Sequence, residues 1–177
     1  MVAIRRILVG YALICAILVV AVFALPGLHP ILWTTMGLTG AAAVGYGALR
    51  NKPRRRAPWF VVAAGLFFFA AGDLTADLLV DVFHIADPFP SLADVFYLLF
   101  YALVAIGIGW LYSLGVVRRS VSSLLDALTL TAGVGLLAWI YLINPYVQNP
   151  DMTPFDKTVA IAYPLADVIV LAVAARL

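Results

Sequence analysis

Glutamate is absent from this 177-residue chain: all nine acidic residues are aspartate. Charge of either sign is scarce, at 11% of residues, where a soluble domain carries roughly 25%. Apolar residues make up 65% and the mean hydropathy is +1.07. A water-facing surface cannot be built from that composition, so the side chains must face lipid and one another. The single cysteine, Cys15, excludes an intrachain disulfide and reads as a packing residue in the first apolar segment. Nucleophile elbow, phosphate loop, CxxC pair and HExxH are all missing, so the chain is expected to be no enzyme and to carry no cofactor. The basic residues flank hydrophobic segments instead of forming a patch, which leaves no basis for a nucleic-acid partner.

Six hydrophobic segments are present, roughly 6–25, 30–50, 58–82, 91–115, 121–143 and 155–177. Each is about as long as the ~20 residues that cross a bilayer. Ten of the eleven basic residues fall at alternate ends of these segments. Arg5 and Arg6 precede the first, and Arg50, Lys52, Arg54, Arg55 and Arg56 lie between the second and third. Arg118 and Arg119 lie between the fourth and fifth, Arg176 ends the sixth, and Lys157 alone lies on the other side. Lys and Arg are retained on the cytoplasmic side. The expected fold is therefore an all-α membrane protein, a six-helix bundle with both termini cytoplasmic, forming one integral membrane domain over 1–177. The first segment has a signal-peptide form, but its apolar run of about 19 residues exceeds the usual ~7–15, so it reads as a retained helix. The outer connections, 26–30, 84–90 and 144–154, are short, as are the inner ones, 51–57 and 116–120. Short links make consecutive helices antiparallel neighbours. The second segment is rich in small residues from Gly37 to Gly47, which lets backbones approach closely.

A carboxylate in hydrocarbon is costly, about 2.5–3.5 kcal/mol at a helix centre, so each aspartate is placed by depth. Ser91-x-x-Asp94 and Thr153-x-x-Asp156 match the capping-box pattern, and Asp126 is a third candidate, with Ser123. Asp87 and Asp151 read as solvated loop residues. Asp73, Asp77 and Asp81 are spaced by four, which places them on one stripe of the third helix. Asp73 falls about 22 Å into that helix, past the midplane of a layer of about 30 Å. Tyr97 and Tyr101, one turn apart on the fourth helix, lie at similar depth and can donate to the stripe. Asp167 is the deepest acid, with Tyr163 one turn before it and Pro164 between them. A mid-helix proline frees the carbonyl at Ala160 and favours a kink, which makes Pro164 the candidate hinge. His84 with Asp81 and Asp87 is a weak candidate for a metal. The segments opening at Pro90 and Thr153 echo each other, as duplicated helix pairs do.

The runs Asp87-Pro-Phe-Pro-Ser-Leu-Ala-Asp-Val-Phe-Tyr-Leu-Leu-Phe-Tyr101, Leu125-Asp-Ala-Leu128 and Ala162-Tyr-Pro-Leu-Ala-Asp-Val168 resemble the multi-helix N-terminal regions of actinobacterial GGDEF/EAL proteins, which make and degrade cyclic di-GMP. The likeness covers about 85–177, and the chain carries no GGDEF or EAL sequence itself. It implies a membrane sensory or anchoring module in the bacterial cytoplasmic membrane; the depth of Asp73, Asp77, Asp167, Tyr97, Tyr101 and Tyr163 in the apolar segments makes them the candidate sensing residues. Membrane lipids are the expected partners, with room for a homo-oligomer or a larger complex. A small proton-coupled carrier and an accessory subunit are the alternatives that the same acids allow.

Overall fold

The computed structural model describes residues 2–86, 88–114 and 121–175, with side chains from Val9 onward except Pro26 and 121–123. Asp87, Arg118, Arg119 and Arg176 lie outside the described residues, as do the side chains of Arg5, Arg6 and Ser123. Among the described residues the chain is helical and has no strand. The long helices are α1 (Val2–Ala24), α2 (His29–Arg50), α3 (Ala57–Asp77), α4 (Leu92–Ser113), α5 (Val121–Ala138) and α7 (Pro154–Ala174), with a short α6 (Asn144–Gln148). These elements fall on the six segments expected from the sequence.

Helix starts follow local chemistry. Proline occupies the first turn of α2, α3 and α7, where its missing N–H costs nothing and its fixed φ suits the helix. Both expected capping boxes are present, Ser91 with Asp94 and Thr153 with Asp156. Two helices widen at one end. α3 passes into a π-helical turn at Leu78–Val82, and α5 passes through another at Trp139–Ile143 into α6. The second has a clear cause. Pro145 cannot donate to the carbonyl of Tyr141, and its ring crowds that turn; the wider turn before it removes the conflict. The chain expected to be an outer loop from 144 is therefore helical as far as Gln148.

Among the described residues, four stretches are long and apolar enough to cross a membrane: Ala57–Val82, Leu92–Ser113, Leu124–Gln148 and Pro154–Ala174. The part of α1 whose side chains are described, Val9–Ala24, is apolar as well, and the glycines and threonines of α2 dilute its apolar character. The chain is thus a membrane protein by helix length and composition. Large apolar side chains such as Ile17, Phe23, Leu128 and Leu136 project outward, as lipid-facing residues must.

The helices do not close into a bundle in which every consecutive pair touches. Backbone packing among the described residues runs in a row: α1 on α2, α2 on α3, α3 on α4, α4 on α7, and α7 on α5. α4 and α5 are consecutive, yet α7 lies between them. The tightest seam is α3 against α4. A Cβ on Gly107 would lie 2.5 Å from Val62 Cγ2 and 3.1 Å from the Pro58 carbonyl oxygen. A Cβ on Gly65 would lie 2.9 Å from Val104 Cγ2. Only glycine fits at either place, and the two helices approach closely because of it.

Candidate functional site

Three tyrosine–aspartate pairs cluster where α3, α4 and α7 meet. The Tyr97 hydroxyl donates to Asp73 Oδ1 at 2.8 Å, from α4 to α3. The Tyr101 hydroxyl donates to Asp167 Oδ1 at 2.7 Å, from α4 to α7. The Tyr163 hydroxyl donates to Asp94 Oδ1, from α7 back to α4. The three rings touch: Tyr163 lies edge-on to Tyr97 at 6.5 Å and to Tyr101 at 6.3 Å between centroids. Edge-to-face pairs at these distances are favourable beyond their burial. Each carboxylate thus gains a donor that lipid cannot offer, which is the condition for keeping an acid at this depth.

The acids differ in environment. Asp73 and Asp94 are each 8% exposed. Asp94 is fully engaged: Oδ2 accepts from the backbone N–H of Ser91 at 2.6 Å and from its hydroxyl at 3.1 Å, while Oδ1 takes Tyr163. Asp73 Oδ2 is buried with no donor in hydrogen-bond geometry among the described residues, although the Trp33 indole of α2 is near. Asp167 is exposed and lines a cavity of about 360 Å³ with Phe89, Leu142, Tyr146, Met152 and Tyr163. Pro164 is buried against the same cavity. One backbone feature makes the cluster possible. Gly72 precedes Asp73, and a Cβ there would sit 2.7 Å from Tyr97 Cε1, so its bare backbone is what admits the ring. Pro164 leaves the Ala160 carbonyl without its helical donor, yet α7 continues through it as one helix.

The sequence expectations sort as follows. Asp73 and Tyr97 meet as anticipated. Tyr101 pairs with Asp167 and not with the α3 stripe, because α7 and not α5 lies beside α4. Tyr163 shares a cavity with Asp167 but bonds to Asp94. The stripe ends at Asp77, which is half-buried, while Asp81 is exposed: the π turn from Leu78 breaks the four-residue repeat that would have aligned it. Asp156 is a cap, with Thr153 accepting from its N–H at 3.2 Å. Asp126 is exposed and its expected partner Ser123 has no described side chain. His84 lies in the connection between α3 and α4 at φ 54°, and among the described residues no group of three or more His, Cys or Asp is placed to hold a metal ion. The contributions of Asp94 and Gly72 to the cluster were not anticipated. A capping box accounts for one oxygen of Asp94 and gives no hint of the other. The adjacency of Gly72 to Asp73 was the one signal available for the glycine.

Compared with family models, with curated proteins and with solved structures, the chain matches none.

Proposed function

We propose that the chain is the membrane-embedded sensory or anchoring module of a bacterial signalling protein, of the kind whose cytoplasmic output makes or degrades cyclic di-GMP. In this reading α1 to α5 and α7 are six spans of the cytoplasmic membrane, both termini lie inside, and Lys52 and its arginine neighbours form the inner rim. Lipids surround the helices, and self-association or a larger complex is compatible with the row's free edges.

The observation that supports this reading best is the attachment of α7. Two side-chain hydrogen bonds, Tyr101–Asp167 and Tyr163–Asp94, tie it to α4, one on each side of Pro164. A sensor needs an element with two states that its stimulus binds unequally. A helix held by a pair of breakable polar ties, weakened between them by a proline, has that character, and a shift of α7 is carried to its inner end. The resemblance of 85–177 to GGDEF/EAL membrane regions covers the same residues.

The test is a fusion in which a diguanylate cyclase domain follows residue 177, with cyclic di-GMP measured in cells. A tie worth about 0.6 kcal/mol alters a two-state ratio about threefold, so Tyr101→Phe should shift output by about that factor, and Asp167→Asn and Pro164→Ala should shift it as well. Output unchanged in all three would sink the reading. The open cavity beside Asp167 supports a second reading, a small carrier. That reading predicts flux driven by a pH gradient in proteoliposomes, which the sensory reading does not.

A further inference from the structure

We propose that the cavity beside Asp167 binds a small organic cation, an ammonium group on an apolar body, with Asp167 as its counter-ion and the rings of Tyr163, Tyr146 and Phe89 as its walls. The proposal names the class of stimulus for the sensory reading and rests on that reading for any effect on output; the binding itself does not.

The size comes first. At about 360 Å³ the cavity lies at the lower end of the ~300–1,000 Å³ usual for small-molecule sites, enough for a compact ligand and too little for a lipid chain with its headgroup. Its chemistry is lopsided. One carboxylate and three aromatic rings line it, the remaining wall is apolar, and no lining residue is cationic. An anion would meet Asp167 uncompensated. A neutral ligand would displace water and leave the charge of a carboxylate in a low dielectric unmatched. A metal ion needs several hard oxygen ligands, and this wall offers a single carboxylate. An organic ammonium meets what is there: aromatic faces attract it, and a carboxylate has about four lone-pair sites, of which Tyr101 uses one. The chain's own nearby cation, Lys157, is engaged elsewhere, with its Nζ donating to the Val147 carbonyl at 3.1 Å.

The site is also coupled to the helix ties. A cation beside Asp167 draws charge from the carboxylate that accepts from the Tyr101 hydroxyl and so weakens that tie, and its body would press on Tyr163, the donor of the second tie. Occupancy therefore favours the state in which α7 is loosened from α4.

Three benzyl probes, titrated by calorimetry into the whole chain in lipid nanodiscs, test this: benzyltrimethylammonium, its uncharged carbon isostere neopentylbenzene, and the anion phenylacetate. The expected result is cation binding about tenfold or more tighter than either other probe, with that preference lost in Asp167→Asn and retained in Asp126→Asn. Equal binding of cation and isostere, or a preference that survives in Asp167→Asn, overturns the proposal. Should Asp167→Asn fail to fold, Tyr146→Leu removes an aromatic wall and leaves the carboxylate in place; a cation preference undiminished there also overturns it. Cation binding with no change in the output of the fused cyclase would leave the site standing and remove the sensory reading instead.

Discussion

A tyrosine hydroxyl on a carboxylate is worth what its removal leaves behind. Where the acceptor is buried, losing the donor exposes the full desolvation penalty of the oxygen, about 1–3 kcal/mol. Where the acceptor opens on a cavity, other partners replace it and the cost falls to roughly 0–1 kcal/mol. Tyr163→Phe and Tyr97→Phe, whose acceptors Asp94 and Asp73 are each 8% exposed, should therefore destabilise by the larger amount. Tyr101→Phe, whose acceptor Asp167 is exposed, should cost the smaller. Reversible unfolding in mixed micelles measures all three, and a Tyr101→Phe loss equal to the others would show Asp167 to be shut away from its cavity. The Asp73–Tyr97 pair was legible in the sequence because four-residue spacing on two antiparallel helices joined by a short link fixes both face and depth. Asp94 was legible only by half, since local pattern accounts for one of two oxygens. The partner of Tyr101 was not legible, since residues 66 apart meet only if the order of the helices is known.

At the scale of elements, the glycines of the α3–α4 seam hold the cluster in register. Gly107 faces a backbone oxygen 3.1 Å from where a Cβ would be, and backbone cannot move aside as a side-chain tip can. Gly107→Ala should cost about 1–3 kcal/mol through overpacking despite the higher helix propensity of alanine. Gly40 has nothing within 4 Å of a Cβ position, so Gly40→Ala should be neutral or stabilise by up to about 1 kcal/mol. The same unfolding measurement separates the two; equal effects would mean that α3 and α4 sit farther apart than described. The helix positions were readable from apolar run length, and their starts from Pro, Ser and Thr. The π turns were not, because they answer local conflicts: Pro145 accounts for the one in α5, and we have no physical account of the one that follows Asp77.

For the whole molecule the decisive fact is the order of the row, α1–α2–α3–α4–α7–α5. Disulfide cross-linking in a Cys15→Ala background tests it. A Cβ on Gly109 lies 3.8 Å from Val173 Cγ1, and one on Gly135 lies 3.8 Å from Val168 Cγ1. The pairs Gly109→Cys with Val173→Cys and Gly135→Cys with Val168→Cys should therefore cross-link on oxidation. Gly109→Cys with Leu128→Cys, which line a cavity of about 370 Å³ between α4 and α5, should not. The reverse pattern would restore the consecutive order that loop length alone suggests. Loop length limits which helices can be neighbours and does not choose among them; here α7 is held beside α4 by two polar ties, Tyr101–Asp167 and Tyr163–Asp94.

That order also sets a sequence of events at the ribosome. α4 and α5 are synthesised before α7, and α7 then has to come between them. Until it does, Tyr101 lacks the acceptor Asp167 and Asp94 Oδ1 lacks the donor Tyr163. The nascent chain passes through a stage in which α4 carries unsatisfied polar groups toward lipid, and that stage is the point at which quality-control proteases and insertion chaperones would find it.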